Sequence, residues 1–201
     1  MVKVGTPAGL SAVFLDRDGV LNRPIVRDGR PYPPATLEEF SILPGVPEAC
    51  EVLSQAGFVL LVVTNQPDIA RGVQDRGVVD EIHEYLLRTL PIAAVYVCPH
   101  DDADGCQCRK PGPGMLLEAA RDRNLNLASS VMVGDRWRDV EAGQRAGCRT
   151  VFVDRGYSEP APVNPDAIVS DLGEAADWIT SGLPARRPSG LAHPGEGWTN
   201  P

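Results

Sequence analysis

Four stretches of the chain share one grammar: an apolar, β-branched run ends in a polar cluster, and a segment with helical spacing follows. The runs are Ala12–Leu15 ending at Asp16, Phe58–Val63 ending at Thr64, Ala93–Val97 ending at Cys98, and Ser130–Val133 ending at Gly134-Asp135, with Val151–Val153 as a fifth. Between them, Pro47–Ala56, Asp75–Leu90, Gly114–Arg123 and Arg138–Ala146 place apolar residues on one helical face, and Gly57 and Gly147 stand where helices would stop. Strand and helix alternate, which predicts an α/β fold: a Rossmann-like, parallel central sheet with helices on both faces. Ligands of such sheets collect at the carboxyl ends of the strands, where the polar clusters fall. From Leu183 the chain reads LPARRPSGLAHPGEGWTNP, rich in Pro and Gly and without period. The expected organisation is one domain over 1–182, its core at about 12–155, and a flexible tail over 183–201.

Composition narrows the function. With 201 residues, a single core is the natural expectation. The 19 Lys+Arg against 27 Asp+Glu give a net charge of -8, which disfavours nucleic acid as a partner. No run approaches a membrane span and the start lacks a signal-peptide core, so no membrane partner and a cytoplasmic location are expected. A monomer is expected. Five cysteines is an odd count, and Cys98, Cys106 and Cys108 crowd into eleven residues, which suits a metal site in a reducing compartment better than a disulfide framework.

The first strand delivers Asp16-Arg17-Asp18-Gly19. Positions i and i+2 of a strand project to the same side, and two carboxylates held together repel unless a cation or a proton intervenes. The fourth strand adds Asp135, with Asp139 one helical turn on. A hard cation such as Mg2+ suits this oxygen-rich edge. Asp139 is open to two readings, metal ligand or a group that hydrogen-bonds near a helix start. Thr64 and Asn65 end the second strand and Arg109-Lys110 follow the third, so hydroxyl, amide and cationic donors gather on the same edge, an inventory suited to phosphate.

The segments DRDGVLN, TNQ, RKPGPGM and GDRWRDVEAG, in this order, resemble the four motifs of the haloacid dehalogenase (HAD) superfamily of phosphatases over residues 12–155. The resemblance implies Asp16 as nucleophile, Asp18 as general acid and base, and Mg2+ held by Asp16, the Asp18 main-chain carbonyl and Asp135. It further implies that Lys110 offsets charge and that Thr64 and the Asn65 amide bind phosphoryl oxygens. Gln66, Arg71, Arg109 and Arg136 join Asn65 as candidate substrate-binding residues. A carboxylate is ionised at pH 7, so such a nucleophile needs no partner base.

Cys98-Pro-His100, five residues, then Cys106-Gln-Cys108 offers three thiolates and one imidazole, enough for a closed, structural Zn2+ site. Ordinary reduced cysteines, or a redox pair at Cys106 and Cys108, are the alternatives. Cys50 and Cys148 read as small core residues. Because Cys108 directly precedes Arg109-Lys110, a metal there would also fix the cations. The loop resembles that of a HAD subgroup containing heptose-bisphosphate 7-phosphatases and histidinol-phosphate phosphatases.

From Asp16 to Thr64 is 48 positions and from Thr64 to Lys110 is 46, too short for an inserted cap domain, so surface loops such as Arg23–Phe40 must choose the substrate. A small phosphorylated metabolite is expected. IARG and RKPGPGM resemble the heptose enzymes; the short cysteine loop with Asp101, Asp102 and Asp104 resembles the histidinol type, and PYPP at Pro31–Pro34 departs from the usual heptose-enzyme pattern. Release of the 7-phosphate of a heptose 1,7-bisphosphate is the expectation, with histidinol-phosphate or another sugar-phosphate hydrolysis as the rival. A zinc-stabilised binding protein without turnover is the non-enzyme alternative.

Overall fold

A computed structural model describes residues 9–182; the tail expected over 183–201 lies outside the described residues. Six parallel strands form the central sheet in the order β5-β4-β1-β6-β7-β8: β1 Ala12–Leu15, β4 Val59–Asn65, β5 Ile92–Cys98, β6 Val131–Gly134, β7 Arg149–Val153 and β8 Ala167–Val169. A separate antiparallel hairpin pairs β2 (Ile25–Arg27) with β3 (Arg30–Tyr32). The helices are α1 (Val46–Gln55), α2 (Arg76–Thr89), α3 (Gly114–Arg123), α4 (Trp137–Ala146) and α5 (Leu172–Thr180).

The strands are continuous apolar runs because the sheet is buried on both faces. Successive residues of β1 feed opposite cores: Val13 and Leu15 pack with α1, α2 and α5, while Ala12 and Phe14 pack with α3 and α4. Leu60 and Val62 against Leu61 and Val63 repeat the split in β4. One register slip would reverse both assignments, so the pattern fixes the strand pairing. Asp75 caps α2 by accepting from the Gly77 N–H, and Asp171 caps α5 through the Glu174 N–H. Gly57 and Gly147 end α1 and α4 at φ +90° and +86°, as their positions in the sequence predict.

The predicted strands and helices are present, with ends moved by one or two residues. The hairpin, β8 and α5 lie beyond the expectation. The hairpin and β8 are strands of three residues each, too short for alternation to reveal, and β8 with α5 extends the sheet beyond the expected core limit near residue 155. No cap domain interrupts the described residues: the hairpin and turns fill β1 to α1, and a short loop joins β4 to α2. None of the described helices is long and apolar enough to cross a membrane.

Candidate active site

Strand order places the site. From β1 the chain builds outward through β4 and β5, then crosses back to β6, so the carboxyl ends of β1, β4 and β6 border the crevice where the winding reverses. Asp16, Thr64 and Asp135 stand at those three ends. Asp16, Asp135 and Asp139 bring carboxylate oxygens within 4.8 Å of one another, all three residues buried. Lys110 reaches between them, its Nζ donating to Asp16 Oδ1 at 2.6 Å and to the Val63 carbonyl at 2.8 Å, and lying 2.6 Å from Asp139 Oδ1. Desolvation opposes the Lys110 charge, but Asp139 and Asp16 outweigh it and hold its pKa above the ordinary value.

Three carboxylates against one ammonium leave negative charge in excess. Burial, then the charges of Asp16 and Asp139, push Asp135 well above the usual carboxylate range. Asp16 is pushed up to about 6, chiefly by burial. Among the described residues the Tyr157 hydroxyl is the one donor that acts on Asp135, and neither of its buried oxygens makes a close hydrogen bond, a cost that a protein tolerates where a cation completes the site. The donor set, hard oxygens facing an open cleft, fits Mg2+. Asp139 is further committed: its Oδ2 accepts from the Arg136 N–H at 3.0 Å at the start of α4, while its Oδ1 holds Lys110. Of the two readings left open for it, the hydrogen-bonding one describes these contacts, although its carboxylate also borders the metal cluster.

Gly19 follows the second acid at φ +95°, and a Cβ there would run into the Asp135 carboxylate. The DRDG turn therefore needs glycine both for its backbone angle and to let β6 deliver Asp135 against β1.

Asp18 is wrapped in donors. Arg17 donates to its Oδ2 from Nε at 3.1 Å and Nη2 at 2.9 Å, Gln66 Nε2 donates to Oδ2 at 2.9 Å, and Asn22 Nδ2 donates to Oδ1 at 3.0 Å. Burial alone would raise the Asp18 pKa, but Arg17, Asn22 and Gln66 hold it below the ordinary carboxylate value.

The candidate substrate residues divide. Gln66, expected to bind substrate, is instead 1% exposed and donates to Asp18 and to Thr64 Oγ1, so it serves the acid from behind. The Asn65 side chain is spent on Lys110: its Oδ1 accepts from the Lys110 N–H at 3.1 Å and its Nδ2 donates to the Lys110 carbonyl at 3.0 Å, which fixes the lysine main chain to the end of β4. Arg71, Arg109 and Arg136 do reach the cleft, together with Asp16, Asp18 and Thr64. Each already holds an acid: Arg71 pairs with Asp68 and Asp101, Arg109 with Asp102, and Arg136 with Glu159. The hairpin forms the opposite wall through Arg30–Pro33, seated on the loop after β7 by a 2.9 Å bond from the Ser158 N–H to the Gly29 carbonyl. The cleft has a volume of ≈ 490 Å³.

Beside the cleft, Cys98, His100, Cys106 and Cys108 converge. His100 Nδ1 lies 3.6 Å from Cys98 Sγ and 3.3 Å from Cys108 Sγ, and the sulfur pairs Cys98–Cys106, Cys98–Cys108 and Cys106–Cys108 are 3.6, 3.3 and 3.4 Å apart. A disulfide needs a separation near 2.05 Å, so the three thiols are unbridged. A tetrahedral Zn2+ with Zn–S of about 2.3 Å and Zn–N of about 2.0 Å gives donor edges of roughly 3.5–3.8 Å. The four donors come close to that tetrahedron, and the set fits zinc. Cys50 and Cys148 are buried in the core, as expected.

Comparison with known proteins agrees with this geometry. A HAD-hydrolase-like family model matches residues 107–175. The D-glycero-β-D-manno-heptose-1,7-bisphosphate 7-phosphatase of Bordetella bronchiseptica is 37% identical over 152 residues, covering 73% of this chain and 82% of the relative. The corresponding enzyme of Thermosynechococcus vestitus is 35% identical over 198 residues, covering 87% of this chain and 98% of the relative. Among solved structures, the B. bronchiseptica D,D-heptose 1,7-bisphosphate phosphatase complexed with magnesium and phosphate superposes with a TM-score of 0.71 at 32% identity, covering 86% of this chain and 99% of that one. Fold, motif order and near-complete coverage of these relatives coincide, and the chain belongs to the heptose-bisphosphate phosphatase family of the HAD superfamily.

Proposed function

We propose that this chain hydrolyses the 7-phosphate of D-glycero-D-manno-heptose 1,7-bisphosphate through an aspartyl-phosphate on Asp16. The observation that carries the reading is the juxtaposition of Asp16, Lys110 and Asp135 at the strand ends with Asp18 beside them. Asp16 and Asp135, with the Asp18 main-chain carbonyl, would hold Mg2+, whose charge would let a carboxylate approach a phosphate dianion. An Asp16 oxygen attacks phosphorus and the bond from phosphorus to the sugar oxygen breaks. Asp18, which Arg17, Asn22 and Gln66 favour as the carboxylate, acts as the acid from its protonated form: it gives that proton to the leaving oxygen, and the sugar leaves as the alcohol. Water then attacks the aspartyl-phosphate, Asp18 takes back a proton, and inorganic phosphate departs with Asp16 restored. Thr64 binds a phosphoryl oxygen and Lys110 offsets charge developing on the transferred group.

The substrate reading rests on the mouth. Of the six cations that line the cleft among the described residues, five are ion-paired: Arg71, Arg109, Lys110, Arg136 and Arg138, the last with Asp102. Arg30, on β3, has no acidic partner among the described residues. A guanidinium without a partner suits a second, distal phosphate and offers nothing to the amine of histidinol phosphate.

Side-by-side kinetics test this. The kcat/KM for the heptose 1,7-bisphosphate is expected to exceed that for histidinol phosphate by ~100-fold or more. A higher value for histidinol phosphate would overturn the substrate while leaving the mechanism standing. Arg30→Ala is expected to raise KM for the bisphosphate ~10-fold with little change in kcat, because it removes binding shared by ground and transition states. An unchanged KM would remove Arg30 from recognition.

A further inference from the structure

Arg17 lies between the two acids of the DRDG turn, is fully buried, and has no task in the chemistry described so far. Its guanidinium uses one edge on Asp18, through Nε and Nη2. The remaining nitrogen, Nη1, lies 3.1 Å from Nε2 of His83, which is itself buried on α2. An arginine carries only donors, so His83 Nε2 must accept, which fixes the imidazole as the neutral tautomer with its proton on Nδ1. The environment agrees: burial, with the Arg17 charge adding to it, lowers the His83 pKa to about 4.

Three links then run in series, from α2 through His83 and Arg17 to the Asp18 carboxylate. Asn22 and Gln66 each give Asp18 a single donor, whereas Arg17 binds it as a fork and sets the plane of the carboxylate. A fork orients its partner only if the fork is itself held. His83 holds it from α2, 66 residues along the chain and outside the residues that line the cleft.

We propose that His83 is a positioning residue which, by accepting from Arg17, aims Asp18 at the leaving oxygen. The inference rests on Asp18 being the general acid of the reading above. Proton transfer demands a donor within hydrogen-bond reach of the leaving oxygen, and an error near 1 Å costs about 100-fold. Removing the acceptor also leaves a buried guanidinium nitrogen unpaired, which favours a different arrangement of the fork.

The test separates acid positioning from general damage by changing the leaving group. In a phosphoenzyme mechanism kcat/KM reports steps up to departure of the alcohol. A sugar alkoxide needs Asp18 to protonate it, whereas nitrophenolate departs as a stable anion and does not. With the full chain and saturating Mg2+, His83→Leu is expected to lower kcat/KM on the heptose 1,7-bisphosphate by ~30-fold, yet by no more than ~3-fold on p-nitrophenyl phosphate. His83→Gln, whose carbonyl can accept from Arg17, is expected to recover the sugar-phosphate rate to within ~3-fold of the parent. Equal losses on both substrates, or no recovery with Gln, would overturn the proposal. Should His83→Leu not fold, Arg17→Lys carries the same comparison: it keeps the charge but gives up the fork, and the same leaving-group dependence is expected. A parent protein that released phosphate from neither ester would instead overturn the phosphatase reading itself.

Discussion

Asp16→Asn is expected to abolish phosphate release, by ~10⁴-fold or more, while the protein still folds. The amide has the size of the carboxylate and sits at the same strand end, but it cannot form an acyl-phosphate. The fold survives because the two cores beneath the site are apolar and do not involve Asp16. Lys110, whose ammonium is shared between Asp16 and Asp139, keeps Asp139 at 2.6 Å and the Val63 carbonyl at 2.8 Å, so no buried cation is left bare. The substitution also removes one negative charge from a cluster with an excess of them, which offsets the lost ion pair. Phosphate release and thermal melting, measured on the same preparation, check both halves. Turnover within ~10-fold of the parent would exclude Asp16 as the nucleophile.

The strand ends that carry this chemistry were readable because a doubly covered parallel sheet writes its strands as unbroken apolar runs, and the first polar residue after each run marks the crevice. Asp16, Thr64, Cys98 and Asp135 were each found in that way. Partner choice was hidden. That Gln66 turns back to Asp18, that Asn65 clamps the Lys110 main chain, and that Arg17 reaches His83 all depend on side chains 45 to 66 positions apart meeting in space. No local spacing encodes such meetings. The guanidinium at residue 17 carried a weak signal, since an arginine between two site acids at a buried strand end must find anions nearby. For α5 the signal was present in the sequence: Asp171 as cap, then Leu172, Ala175, Ala176 and Ile179 on one face, all four buried. The hairpin offered only three-residue strands broken by Pro31, and its importance came from where it docks, against Ser158 over the cleft.

Loss of the zinc site is expected to harm stability and catalysis together. As purified without chelator, the protein should carry about one Zn2+ per chain by elemental analysis, distinct from exchangeable Mg2+. Cys108→Ser should lose that metal, lower the melting temperature by roughly 10 °C, and reduce kcat by ~10–100-fold. The catalytic loss follows from covalent adjacency. Cys108 is bonded to Arg109, whose guanidinium holds Asp102 at 2.7 Å and the His100 carbonyl at 3.3 Å, and Arg109 is bonded to Lys110. The loop also closes on itself through the Gly114 N–H to the Gln107 carbonyl at 3.1 Å, so a shift at residues 107–108 reaches the start of α3. Lys110 is held at its main chain by Asn65 and at its ammonium by two carboxylates, which limits how far it can move and keeps the expected loss well short of that for Asp16→Asn. Cys106 sits farther from the lysine along the chain. Cys106→Ser should therefore cost similar zinc and similar stability but less activity than Cys108→Ser. Zinc-free protein of undiminished stability, or two serine variants with unaltered metal content, would remove zinc from the structure of this loop.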